Sequence, residues 1–239
     1  MSTSALIPAY QPTELLIEVV DSVLAAGFAR VVVVNDGSKP ECARHFEAVR
    51  TRPKVILLEH ERNRGKGAAL RTGLEHLHRT APAGEVGVVT LDADGQHRAQ
   101  DAWRVAEELE RHPDALVLGV RSFTRKGVPW PRRIGNIFTR VVFAVLVGRI
   151  IRDTQTGLRG HPMGWIPELL TIDYDGYEYE LEVLLHCRKR PLRQVTIETV
   201  YIGENESSHF DLVRDSTRIY GTLLKSRLRA LRDWFKVRF

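Results

Sequence analysis

Asp92-Ala93-Asp94-Gly95-Gln96 has the residue types and spacing most suited to chemistry in this chain. It follows the hydrophobic run Val86-Gly-Val-Val-Thr-Leu91, so both carboxylates fall where a strand gives way to a turn. Carboxylates at i and i+2 there can converge on one hard cation, and Gln96 adds a neutral oxygen at the next alternate position. Mg²⁺ or Mn²⁺ with nucleotide phosphates is the expected use of such a set. The plainer alternative is a polar turn with an Asx cap, since Asp and Gly are ordinary turn residues.

Three further stretches bear on the same chemistry. Asn35-Asp36-Gly37-Ser38 closes the run Val31–Val34 and places another carboxylate at a strand end. It would accept hydrogen bonds from a base or ribose, or else cap a helix over 40–50. Asn63-Arg64-Gly65-Lys66-Gly67 opens a helix, where glycines allow close backbone approach and the helix N-terminus attracts anions. It is neither a P-loop, lacking Ser/Thr after Gly-Lys, nor a complete dinucleotide fingerprint. Tyr177-Glu178-Tyr179-Glu180-Leu181-Glu182 alternates three acids that cannot share one helical face, so one or two would enter a site and the rest would be solvated.

The elements that must position these residues alternate regularly. Runs at 5–10, 30–35, 55–59, 86–91 and 115–120 read as buried strands, and 13–26, 40–50, 65–79 and 99–111 as helices. In 99–111 the expected inward set is Ala102, Val105, Ala106 and Leu109. Such alternation predicts a mostly parallel α/β sheet covered on both faces, with ligands beyond the carboxyl ends of the strands. Further on, 131–151 and 178–189 read as helices, 194–202 as a strand and 211–236 as a long helix.

The 239 residues suffice for a large core, and 43% hydrophobic with 27% charged is ordinary globular composition. Cys42 and Cys187 make neither a disulfide framework nor a Cys-rich zinc site, which suggests a reducing compartment. No basic region precedes the first apolar run, so no secretory signal is expected. The net charge of +5 is unevenly spread. Residues 121–152 hold eight basic side chains and no acid, and 212–239 hold eight basic and two acidic, which together make +14 and leave the remainder at −9. An acidic body with two basic segments points to anionic partners at particular places.

In this order the motifs resemble the family 2 glycosyltransferases of the GT-A (Rossmann-like) fold, and among them the dolichol- and polyprenyl-phosphate glycosyltransferases. The matching elements are Ile7-Pro8-Ala9-Tyr10, Val34-Asn35-Asp36-Gly37-Ser38, Asn63-Arg64-Gly65-Lys66-Gly67, Asp92-Ala93-Asp94-Gly95-Gln96-His97, Gly119-Val-Arg121, Asp153-Thr-Gln-Thr-Gly157 and Ser208-His209-Phe210. The resemblance implies a GT-A catalytic domain over 1–210, with a basic amphipathic helix at 211–239. It implies that Pro8, Tyr10 and Asp36 hold the nucleoside of a nucleotide sugar, with Lys66 and Gly67 in the same pocket. Asp92, Asp94 and Gln96 would hold Mg²⁺ or Mn²⁺, and Arg121 with Arg132 or Arg133 would face phosphates. His97 and His209 enter by the resemblance alone. Inversion at the anomeric carbon is implied as well. A lipid-phosphate acceptor, ionised at neutral pH with its second pKa near ~6, needs no general base. A hydroxyl acceptor needs one, for which Asp153 or Glu178 is the candidate.

The apolar run 141–148 is too short to span a bilayer, which takes about 20 residues. With Arg132, Arg133 and Arg140 before it and Arg149 and Arg152 after, 131–152 suits an interfacial helix on anionic lipid, or alternatively a core helix. Tyr220, Leu224, Leu228, Leu231, Phe235 and Phe239 stripe the C-terminal helix, for a membrane, the body of the protein or a second copy of the chain. Aromatics are not interleaved with the basic residues as stacking platforms, so nucleic acid is not an expected partner. The expectation is a peripheral enzyme at the cytoplasmic membrane face, using a UDP-, GDP- or dTDP-linked sugar and a polyprenyl phosphate. The alternatives are a soluble family 2 enzyme acting on a sugar hydroxyl and a non-catalytic nucleotide-binding or nucleic-acid-binding protein.

Overall fold

The computed structural model describes residues 2–121 and 148–198. Arg132, Arg133, His209, most of 131–152 and all of 211–239 lie outside the described residues. Seven strands form one sheet: β1 (Thr3–Ala9), β2 (Val31–Asn35), β3 (Val55–Glu59), β4 (Gly87–Thr90), β5 (Leu116–Arg121), β6 (Arg159–Pro162) and β7 (Leu192–Ile197). Their order is β3-β2-β1-β4-β6-β5-β7. Every pairing is parallel except those of β6, which runs antiparallel to both β4 and β5.

The β-branched strands bury both faces, alternating residue by residue as the pleat requires. Leu6, Val32, Val34, Val88 and Leu118 pack on one side under α3 (Lys66–Arg79), the short α5 (Ile166–Leu169) and α6 (Glu178–His186). Ala5, Ile7, Val31, Val33, Val89 and Val117 pack on the other under α1 (Leu15–Ala25), α2 (Ala43–Arg50) and α4 (Ala99–Arg111). Ala102, Val105, Ala106 and Leu109 of α4 are all fully buried, as their spacing predicts.

Two elements differ from expectation. β6 is Arg159-Gly-His-Pro162, which has neither β-branched residues nor alternation, yet it is buried throughout because it lies between β4 and β5. Residues 148–151 are not helical. There the Gln194 side chain accepts the Arg152 backbone N–H at 2.9 Å and donates to the Ile150 carbonyl at 3.2 Å, holding this stretch along β7.

The topology sets the site. β1, β2, β4 and β5 all end at one edge, carrying Tyr10, Asp36, Asp92 and Arg121 there. Because β6 is antiparallel, the segment before it, Asp153 to Gly157, arrives at that same edge.

Candidate active site

Asp92 sits at the centre of this edge. Its Oδ1 is 2.7 Å from Lys66 Nζ, at the start of α3, and its Oδ2 is 3.5 Å from His97 Nε2. Lys66 Nζ also lies 2.9 Å from Glu180 Oε2 on α6, and 5.6 Å from the centroid of the Tyr177 ring. Gly157 closes the remaining side: a Cβ there would fall 2.2 Å from Asp92 Oδ2. Only glycine allows so close an approach.

The charges around Asp92 are strongly coupled. Burial works against its carboxylate, but Lys66 and His97 more than offset it and hold the group well below the usual carboxylate range. Burial likewise pulls Lys66 down, while Asp92 and Glu180 pull harder and keep it a firmly held cation. Asp94 is shifted the other way, upward, by burial and then by the charge of Asp92. Its Oδ1 accepts the Gln96 N–H at 3.0 Å, so the turn is also an Asx turn.

Two carboxylates, Asp92 and Glu180, thus flank the ammonium of Lys66, and Asp94 lies two residues beyond Asp92 on the same turn. Paired carboxylates on one turn at the sheet edge are hard oxygen donors of the kind that fits a divalent cation such as Mg²⁺ or Mn²⁺. Among the described residues no three His, Cys, Asp or Glu side chains form a complete metal cage.

Arg121, at the end of β5, is fixed by Asp153. Its Nε donates to Oδ2 at 2.6 Å and its Nη2 to Oδ1 at 3.0 Å, and Asp153 is fully buried. This bidentate pair gives Asp153 the work of orienting Arg121. It differs from the expectation of Asp153 as a base, because both carboxylate oxygens already accept hydrogen bonds.

The first turn of α3 differs from expectation too. Asp36, 3% exposed, accepts the backbone N–H of Arg64 at 2.9 Å and of Gly65 at 2.8 Å, and lies 2.7 Å from His60 Nδ1. The anion at this helix N-terminus is therefore the protein's own carboxylate. Asp36 braces the turn that leads into α3 and makes no capping bond to α2. Gly65 has φ 98°, and a Cβ on it would meet the Asp175 carbonyl oxygen at 2.4 Å. A Cβ on Gly67 would meet that of Tyr174 at 2.5 Å, so these glycines admit the 174–176 backbone instead of a phosphate. Lys66 alone of this trio presents its side chain to the Asp92 centre.

Pro8 lies within β1, in register with Val34, and Tyr10 follows beside Asp36. Gln11 Nε2 donates to Tyr10 Oη at 2.8 Å and the Gln11 N–H to Ser38 Oγ at 2.8 Å, tying the ends of β1 and β2 together. Glu178 is half-buried at the start of α6, its carboxyl group against Gly176.

The alternating acids correct one expectation. Glu180 and Glu182 are each only 9% exposed, so the acids beyond the site are not solvated. For Glu180 the reason lies in β6. Arg159, 1% exposed, donates to the carbonyls of Glu180, Thr156 and Thr154, and its Nε is 3.8 Å from Glu180 Oε1. A buried guanidinium requires this anionic and carbonyl surround. Arg159 and the Lys66–Glu180 pair escaped the sequence reading; an arginine inside an otherwise uncharged stretch was the available signal.

A mostly parallel sheet with one antiparallel strand, bearing paired carboxylates at its carboxyl edge, defines a glycosyltransferase of the GT-A fold. The chain belongs to glycosyl transferase family 2, whose model matches residues 4–165. It is 27% identical over 219 residues to the UDP-N-acetylglucosamine–dolichyl-phosphate N-acetylglucosaminyltransferase of Methanococcus voltae, covering 82% of this chain and 84% of that protein. It is 28% identical over 218 residues to glycosyltransferase AglJ of Haloferax volcanii, covering 90% and 68%. Among solved structures it is similar to glucosyl-3-phosphoglycerate synthase from Mycobacterium tuberculosis, crystallised with Mn²⁺, uridine diphosphate and glucosyl-3-phosphoglycerate. There the TM-score is 0.69 at 21% identity, covering 94% of this chain and 79% of that one, a likeness of fold.

Proposed function

We propose that this enzyme transfers a sugar from a nucleotide sugar to a polyprenyl phosphate of the dolichyl type, with inversion, at the cytoplasmic face of a membrane. Relatives named for transfer to dolichyl phosphate support the acceptor class. The observation that carries the choice of a phosphate over a hydroxyl is the Asp153–Arg121 pair. A hydroxyl acceptor needs a carboxylate placed to take its proton, whereas an already ionised phosphate needs a cation to receive it. Arg121, held rigidly by Asp153, is such a cation.

Pro8 and Tyr10 frame the nucleoside end of the site, on a rim that Asp36 keeps in shape through the 60–65 turn. Asp92 and Asp94, with Gln96, hold Mg²⁺ or Mn²⁺. Bound there, the ion supplies charge neutralisation for a departing nucleoside diphosphate. Lys66 places an ammonium within the same centre, and Arg121 adds its guanidinium on the acceptor side. All are fixed before substrate arrives, so little reorganisation is needed as charge moves to the leaving oxygen.

The test is to incubate the protein with Mn²⁺, UDP-, GDP- or dTDP-linked sugars and a short-chain polyprenyl phosphate, and to determine the product's anomeric configuration by NMR. The expected product is a glycosyl phosphoprenol of inverted configuration from one donor class. Transfer only to a sugar hydroxyl, with the phosphate untouched, would instead favour a soluble enzyme using Glu178 as base.

A further inference from the structure

We propose that Arg149, Ile150, Arg152, Arg188 and Lys189 form the surface that docks this enzyme on anionic lipid headgroups. The inference rests on the polyprenyl-phosphate reading for its purpose, and it stands on its own observations. Ile150 is 71% exposed and is the large apolar side chain that the described residues leave in water. Arg149 and Arg152 flank it in sequence.

The second half of the surface comes from another part of the chain. His186-Cys-Arg-Lys-Arg-Pro-Leu-Arg193 carries four basic residues and no acid, and Arg188, Lys189 and Arg193 are exposed. The two stretches are stitched together. Arg149 Nη1 donates to the Arg190 carbonyl, while the Gln194 side chain bonds to the backbone of both Ile150 and Arg152. Arg190 is already engaged, by Glu168 and by the Trp165 ring 4.8 Å away. Among the described residues no carboxylate lies within ion-pair distance of Arg149, Arg152, Arg188, Lys189 or Arg193. Clustered cations around one exposed aliphatic side chain match an anionic bilayer surface: the arginines and lysine meet phosphates while the isoleucine enters the acyl boundary. Among the described residues no helix is long and apolar enough to cross a membrane, so this contact is peripheral there.

The surface also stands close to the chemistry. Two residues separate Ile150 from Asp153, so three Cα–Cα steps keep their Cα atoms no more than about 11 Å apart. Asp153 is the partner of Arg121.

The full-length protein is to be sedimented with phosphatidylcholine vesicles with and without phosphatidylglycerol, at low and high salt. Binding is expected to need phosphatidylglycerol and to weaken with salt. Each basic residue contributes about fivefold to partitioning, so the R188E/K189E double variant should lose at least about 25-fold. I150D, tested separately, should also weaken binding. Both variants should keep wild-type transfer to a water-soluble short-chain polyprenyl phosphate, since neither alters a site residue. Vesicle binding unchanged in both variants, equal binding to neutral vesicles, or a loss seen only in binding to duplex DNA would overturn the proposal. Loss of vesicle binding in a protein that never glycosylates polyprenyl phosphate would leave the docking surface standing and remove the acceptor reading instead.

Discussion

At the scale of single residues the site depends on how Asp92 is enclosed. Lys66 and His97 orient its carboxylate, and the bare α-carbon of Gly157 leaves room for it. Gly157→Ala adds a methyl where Asp92 Oδ2 already lies, so the carboxylate must move. A displacement of about 1 Å costs on the order of 100-fold in rate at such a centre. Steady-state transfer assays with Mn²⁺ should show that loss while far-UV circular dichroism stays unchanged; a variant with wild-type turnover would contradict the enclosure. The Asp-x-Asp pair was legible because both residues lie within one turn after a hydrophobic strand. The Lys66–Glu180 contact was not, because α3 and α6 are far apart in sequence and only packing on one sheet face brings them together. Gly157 was visible as part of a motif, but its role follows from a distance that no spacing encodes.

At the scale of elements, α3 is held at its start by a carboxylate from β2. Asp36 accepts two backbone N–H groups of the 64–65 turn and lies against His60, the Asp36 and His60 side chains both nearly shielded from water. Asp36→Ala leaves those donors buried without an acceptor, and hydrogen bonds to charged groups contribute about 1.5–3 kcal/mol each. Urea unfolding should therefore show a loss of about 3 kcal/mol, and a variant as stable as wild type would contradict the bracing of this turn. The parallel strands were legible because runs such as Val31–Val34 are apolar on both faces, which only a sheet covered twice can bury. β6 was not legible. Its four residues are buried by position between two better strands rather than by their own chemistry, and the antiparallel direction that delivers Asp153 and Gly157 to the site follows from that position.

At the scale of the whole molecule, the charge map and the topology agree. The carboxylates that gather around Lys66 belong to the acidic body, at the edge where parallel strands end and the antiparallel strand begins. The basic residues at 186–193 lie toward the opposite end of β7 from Arg121, and the 149–152 stretch runs from them along β7 to Asp153, the partner of Arg121. On the proposed reading, the carboxylate edge thus serves a cation and its diphosphate, and the basic stretches serve phosphate at a lipid surface. The central claim is that Asp92 and Asp94 run a metal-dependent sugar transfer to polyprenyl phosphate. It is tested most directly by the initial rate of that transfer in three states: wild type with Mn²⁺, wild type after chelation, and Asp94→Ala with Mn²⁺. The predicted result is a rate lower by on the order of 1,000-fold in the latter two, restored to the chelated wild type by added Mn²⁺, with Asp94→Ala still folded by circular dichroism. Near-normal turnover in Asp94→Ala, or a wild-type rate indifferent to chelation, would contradict it.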